Sequence, residues 1–249
     1  VSPKIPKKVI NERKPGYVPG FLGKVPLERV LSKLGFASRK QTRQFINEGR
    51  IKVNGKTVRD GLFQVAPETD QIMLDGKAVK KAQEITVMLN KPRGIVTTKS
   101  DEKGRKTIYS LLPQELQHLH PVGRLDMATT GLLILTTDTQ LSNFLTDPLN
   151  EIPRTYVVTV EGRIDGGDLV KMQNGIEDNG EILKTVHVEA RKVSNKESHL
   201  TMTLTEGKNR EIRRMMEALG HEVTALKRIS FGDIDLGDLK PGEYKEVRV

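Results

Sequence analysis

The 249-residue sequence predicts a small front module joined to a larger, mixed α+β body, and three observations predict it. Charge divides unevenly, with 15 Lys+Arg against 4 Asp+Glu in residues 1–66 and 26 against 28 in residues 67–249. The front stretch carries two short amphipathic helix patterns and a tight hairpin signal within residues 25–58. The rest alternates β-branched strand patterns with helical stripes around one continuous apolar run, Leu132 to Leu135, which suits a strand buried on both faces.

Composition narrows the chemistry. The length suits one large or two modest domains with a real core. The chain has no cysteine, so it holds no disulfide, thiolate zinc site, iron–sulfur ligand or cysteine nucleophile. No apolar run approaches the roughly 18 residues of a membrane span, and no signal-peptide pattern precedes the first domain. The expected location is therefore cytoplasmic. A basic front end on a near-neutral body argues for a polyanion-binding module attached to something else.

Residues 1–22 set Pro3, Pro6, Pro15 and Pro19 among lysines with little apolar content, the pattern of a flexible basic arm. The front domain is expected over residues 23–76. There Leu27, Val30, Leu31 and Leu34 mark one helix face, ended by Gly35. Ser38 and Gln41 form a capping box for a second helix, whose Phe45 and Ile46 face the core, with Gly49 as its stop. Asn54-Gly55 between alternating residues signals a hairpin. Arg39, Lys40 and Arg43 fall on the helix side away from Phe45. They are candidate phosphate contacts, although a solvated helix face has the same pattern. Polar, lysine-rich residues 77–84 read as a linker.

The body is expected over residues 85–249. An apolar strand from Ile85 ends in the turn Asn90-Lys91-Pro92-Arg93-Gly94. Asp101–Lys106 is a charged loop, and Thr107–Leu112 a short element stopped by Pro113. His118 and His120 lack a third ligand at any familiar spacing, so no metal site is expected. Gly123-Arg124-Leu125-Asp126 then leads into the buried strand. A carboxylate on a loop held against such a strand is how a fold presents a nucleophile or general base, although an aspartate before Thr129-Thr130-Gly131 also suits a turn cap. Asp138 is placed to cap a helix carrying Leu141, Phe144 and Leu145. Arg154–Val160, Val186–Val193 and Ser198–Thr205 read as strands, with Tyr156 either core or site. Ile212, Met215, Met216 and Leu219 form a helix stripe ended by Gly220. Lys208, Arg210, Arg213 and Arg214 crowd the start of that helix. Cations there oppose the helix dipole, which argues for an anionic partner.

Three stretches of the body resemble one family. Gly123–Leu135 resembles the signature loop of the pseudouridine synthases, in the RsuA and RluB branch that acts on ribosomal RNA. Lys91-Pro92-Arg93-Gly94 is similar to the family's first motif, and Glu206–Met215 to its third. The front helix and hairpin, about residues 25–75, resemble the RNA-binding domain named after a small-subunit ribosomal protein, an S-four-like domain. The resemblance implies an α+β catalytic domain with a largely antiparallel mixed sheet and the active cleft across its face. It implies isomerisation of a uridine to pseudouridine in ribosomal RNA, by a monomer without metal or cofactor, on a structured stem-loop whose uridine is flipped into a pocket.

By the same resemblance Asp126 is the essential carboxylate, as nucleophile or as base. Tyr156 lies against the uracil, and Arg213, in preference to Arg210, pairs with Asp126. Arg124, Arg154, Lys208 and Arg210 are expected to hold RNA, with Arg39, Lys40 and Arg43 in the front domain. The spelling around Gly232-Asp233-Ile234 points to the large-subunit branch. The alternatives are a small-subunit enzyme or a catalytically silent RNA-binding assembly factor. Methyl transfer lacks a cofactor-binding glycine loop.

Overall fold

The computed structural model describes residues 24–33, 37, 39–67, 69–79 and 84–247. The chain divides into two compact units that part between Glu84 and Ile85. The expected basic arm, Leu34, Gly35 and Ser38 of the expected capping box lie outside the described residues, as does the side chain of Arg39.

The first unit runs β1 (Val25–Pro26), α1 (Leu27–Lys33), α2 (Arg39–Asn47), β2 (Ile51–Val53), β3 (Lys56–Thr57), β4 (Gln64–Val65), β5 (Ile72–Leu74) and β6 (Lys77–Ala78). Leu27, Val30 and Leu31 of α1 are fully buried, against Ile46 of α2 and Ile51 of β2. That apolar stripe is what holds two helices too short to persist alone. Asn54 and Gly55 both take positive φ, +49° and +80°, as the tightest hairpin turn requires. Asp75 and Gly76 repeat this at +50° and +78° and return the chain as β6, paired Met73 to Ala78 and Leu74 to Lys77. Residues 77–79, expected in the linker, therefore belong to this unit, with Val79 against its core. Both residues of β6 are exposed, so their lysine-rich composition carried no alternation to read.

The second unit comprises β7 (Thr86–Lys91), β8 (His120–Pro121), β9 (Thr130–Thr136), α3 (Thr139–Thr146), β10 (Arg154–Glu161), α4 (Gly166–Asn174), β11 (Ile176–Asp178), β12 (Glu181–Leu183), β13 (His187–Val193), β14 (Glu197–Leu204), α5 (Glu211–Ala218), β15 (Val223–Phe231), β16 (Ile234–Asp235) and β17 (Tyr244–Glu246). Its main sheet runs β13-β14-β10-β15-β9-β7-β17, with β16 on β15 and β8 on β9. The β9–β15 pair is parallel and the others are antiparallel. The fold is thus α+β with a mixed, largely antiparallel sheet. β9 is buried on both faces: Leu133 and Leu135 enter one core cluster, Leu132 and Ile134 another.

The sheet halves join where β9 meets β15, and this junction needs a glycine. Gly131 sits at φ +99°, and a Cβ there would lie 2.1 Å from the Arg228 carbonyl oxygen. Asp138 caps α3, accepting from the Gln140 and Leu141 amides at 2.8 and 3.1 Å. α4 and the β11–β12 hairpin were not legible. Gly166-Gly167 reads as a loop by propensity, yet a reciprocal capping box between Asp165 and Asp168 starts a helix there.

Candidate active site

The loop before β9 is fixed from beneath by the last residue of β7 and the segment after it. Thr97 Oγ1 donates to the Leu125 carbonyl at 2.8 Å. Lys91 Nζ donates to the carbonyls of Asp126 and Thr129 at 2.9 and 2.8 Å. The Gly94 amide donates to the Met127 carbonyl at 2.8 Å. Lys91 reaches this position because it pairs opposite Gly131, where no side chain intervenes. It is fully buried, and burial pulls its ammonium down to about 8, against the opposing pull of Asp126. Leu125, itself buried, plugs the loop into the core beside Ile95 and Leu133. Asp126 is left half-buried with its backbone immobilised.

Its carboxylate opens into a cleft also lined by Tyr156, Arg210, Glu211, Arg213 and Arg228. Asp126 Oδ2 lies 3.6 Å from Arg210 Nη1 and 3.8 Å from Arg213 Nε. These are ion-pair separations, longer than hydrogen bonds. The structure therefore brings together both arginines where one was expected. They are held differently: Arg213 is largely buried and donates to the Val223 carbonyl at 3.0 Å, while the Arg210 side chain is about half exposed. Burial, then the Arg210 charge, lowers Arg213 from its ordinary value; Asp126 opposes this and Arg93 adds to it. Arg210 adopts φ +49° just before α5, a left-handed backbone of the kind that persists at functional sites.

Tyr156 reaches the cleft from β10 at a break in register: Thr155 pairs with Ser230, but Tyr156 pairs with Arg228. A bulge of this kind re-aims side chains beside an active site. Arg124 is exposed at the cleft and makes no hydrogen bond or ion pair with the described residues.

Two expected RNA contacts are otherwise occupied. Arg154 is buried; its guanidinium donates to the carbonyls of Thr205, Glu206 and Leu145 and stacks 4.7 Å from the Phe231 ring. It braces the cleft wall. Lys208 pairs with Glu206 and donates to the Ile182 carbonyl. The anionic partners of Arg214 are likewise internal, Asp178 and Glu181 of the β11–β12 hairpin. In the first unit Lys40 and Arg43 are exposed, and Arg43 pairs with Glu28 at 2.9 Å.

Three residues escaped the sequence reading. Lys91 was noted as part of a turn and of the family's first motif but was given no role of its own, although a lysine closing an apolar strand is a signal. Glu211 was hidden among four cations. Arg228 lies inside β15, a strand for which the sequence reading singled out no site residue. Glu211 is buried, and its carboxyl is pushed up to about 7 by that burial, with the Lys208 amide bond and the nearby Lys208 and Arg154 charges pulling the other way. Five buried side-chain polar atoms among the described residues lack a hydrogen-bond partner, and three of them, Glu211 Oε1, Arg213 Nε and Arg228 Nη2, belong to residues of this one cleft. Buried polar groups are normally satisfied, and most of the exceptions among the described residues gather around this cleft. Among the described residues no group of three or more His, Asp or Glu side chains could hold a metal ion, and no helix is long and apolar enough to cross a membrane.

Comparison with known proteins shows the family to which this chain belongs. The family model for RNA pseudouridylate synthase matches residues 85–218, and the S4 domain model matches residues 25–72. The chain is 39% identical over 224 residues to an uncharacterized RNA pseudouridine synthase of Aquifex aeolicus, covering 90% of each chain. It is 38% identical over 226 residues to the ribosomal large subunit pseudouridine synthase B of Bacillus subtilis, covering 89% of this chain and 91% of that one. A crystal structure of a pseudouridylate synthase superposes with a TM-score of 0.63 at 30% identity, covering 90% of this chain and 96% of that one. The chain belongs to the RNA pseudouridine synthase family, a group of isomerases, and carries an S4 RNA-binding domain.

Proposed function

We propose that this pseudouridine synthase isomerises one specific uridine of ribosomal RNA, with Asp126 as its essential carboxylate. The observation that carries the reading is a lone aspartate on an immobilised loop, opposed by two arginines across a cleft that holds a tyrosine. In the reaction the bond from uracil N1 to the sugar C1′ breaks, the base turns within the cleft, and carbon 5 joins C1′. The proton of carbon 5 is released and N1 gains one, so atoms balance without a co-reactant.

Asp126 acts on the target nucleotide as nucleophile or as base. Arg213, anchored at Val223, orients it. Tyr156 lies against the uracil, which must leave the helical stack to reach the cleft. Arg124 and Arg210 serve the phosphates at the rim, and Arg39, Lys40 and Arg43 give the front domain affinity with little sequence reading. The enzyme works as a cytoplasmic monomer without metal or cofactor. Similarity to a large-subunit enzyme across nearly the whole chain supports large-subunit RNA as the substrate.

The test is tritium release from ribosomal RNA labelled at uridine carbon 5, with small- and large-subunit transcripts assayed separately against intact protein and Asp126→Asn. Release from the large-subunit transcript that vanishes in the variant is the expected result. Release unchanged in the variant would remove Asp126 from its role, and release from the small-subunit transcript alone would reassign the substrate.

A further inference from the structure

A second cavity, of about 480 Å³, shares two lining residues with the cleft, Arg210 and Arg213. Its other walls are Glu217, Gly220, His221, Glu222 and Val223, from the end of α5 to the start of β15. Arg213 runs along the boundary: its Nε is 3.8 Å from Asp126 Oδ2, and its Nη1 donates to the carbonyl of Val223, a residue of the second cavity. Arg210 likewise stands 3.6 Å from Asp126 Oδ2 while lining both spaces. The reach of a single arginine side chain therefore separates Asp126 from this cavity, a span comparable to one step along an RNA strand.

The lining is chemically mixed. Glu217 and Glu222 are exposed, and neither side chain makes a hydrogen bond or ion pair with the described residues, although two arginines share the cavity. His221 is fixed instead: its Nδ1 donates to the Glu161 carbonyl at 2.9 Å, and its Nε2 lies 3.6 Å from Asp168 Oδ2. Gly220 takes φ +83° with open space where a Cβ would stand. A free glutamate on a surface is ordinarily just solvated. Two of them in a cavity that also holds a fixed ring and a guanidinium match the three parts of a nucleotide: base edge, base face and phosphate.

Resting on the reading of the cleft given above, we propose that this cavity receives the nucleotide next to the target uridine and selects a base that carries an amino group. The phosphate joining the two nucleotides meets Arg210, the neighbouring base lies against His221, and its amino group donates to Glu217 or Glu222. A carboxylate accepts from the amino group of cytosine, and adenine and guanine offer one as well. Uracil has only carbonyl oxygens outside its ring, so it leaves the acceptors unpaired and is rejected.

The experiment uses the responding ribosomal RNA stem-loop in two further versions, with uridine replacing the nucleotide on the 5′ or the 3′ side of the target and any pairing partner changed to match. Wild-type protein is compared with the double variant Glu217→Ala, Glu222→Ala. On one side of the target, the uridine should lower the wild-type kcat/KM about tenfold, and the double variant should discriminate less than about threefold. A solvated pair without this role gives the opposite sign, because removing two negative charges near the RNA raises kcat/KM on every version alike; that result overturns the site. So do equal wild-type rates on all versions, full discrimination kept by the variant, or a natural target already flanked by uridine on both sides, each leaving the enzyme reading intact. Wild-type protein inactive on every ribosomal transcript overturns the enzyme reading itself, and this site with it.

Discussion

The ammonium of Lys91 sits beneath Asp126, donating to its carbonyl at 2.9 Å and to that of Thr129 at 2.8 Å. A fully buried cation is thereby spent on loop carbonyls, and the carboxylate that faces the cleft owes its position to it.

Lys91→Met should keep the shape of the side chain and remove both bonds. Leaving these carbonyls short of donors costs on the order of 3 kcal/mol, read as a lower denaturant midpoint at unchanged slope. The sign with pH follows from the shift. Lys91 titrates at about 8 in the folded protein, below its ordinary 10.5, so the unfolded chain binds more protons between those values. Wild-type stability should rise relative to the variant from about pH 8 towards 10.5; a parallel pair of curves would show that Lys91 is not titrating there.

Arg213 and Arg210 should separate in kinetics. On the proposed reading, in which the fixed Arg213 orients the carboxylate, Arg213→Ala should lower kcat on the order of 10²-fold, equivalent to about 3 kcal/mol, with KM little changed. Arg210 is half exposed, and Arg210→Ala should mainly raise KM, a few-fold. Steady-state rates on the labelled transcript decide this, and a larger kcat loss for Arg210 would reverse the assignment.

Glu211 supplies a second pH signature, of opposite sign. Its carboxyl titrates at about 7 folded against an ordinary 4.5, so the folded state binds more protons in that window and stability falls as pH rises through it. Glu211→Gln keeps an acceptor for the Lys208 amide without the charge. Thermal unfolding should show the two proteins alike near pH 4.5 and the variant more stable above pH 7, by up to about 3 kcal/mol. No divergence across that range would mean the carboxyl is not shifted.

Gly131→Ala should be the most damaging small substitution in the second unit. The added Cβ meets the Arg228 carbonyl oxygen at 2.1 Å from a backbone at φ +99°, at the parallel junction of the sheet. A loss of more than about 3 kcal/mol is expected, seen as a fall in Tm and in soluble yield. A variant of unchanged Tm would mean that the β9–β15 spacing is not set by this contact.

Local patterns made much of this legible. The stripe Ile212, Met215, Met216 gave α5, Leu132–Leu135 gave β9, Asn54-Gly55 gave a hairpin and Asp138 a helix cap, because each signal is complete within one turn or one strand. Asp75-Gly76 carried the same hairpin signal, but the exposed, lysine-rich β6 beyond it showed no apolar alternation. α4 was lost to two glycines whose propensity the Asp165–Asp168 capping box overrides.

By itself the sequence determined the kinds of element, the presence of a lone loop aspartate, and a basic front module, since periodicity and charge are properties of the chain. Only the tertiary structure decided which cations serve the cleft. Arg154, Lys208 and Arg214 looked as available as Arg210 and Arg213, yet each of the first three meets carbonyls or carboxylates brought from distant parts of the chain. Lys91, noted only within a turn and a family motif, became the support of Asp126 because β7 and β9 lie side by side in a register that sets it opposite a glycine. A charged side chain takes its role from the partners that folding delivers, and such partners lie far away along the chain.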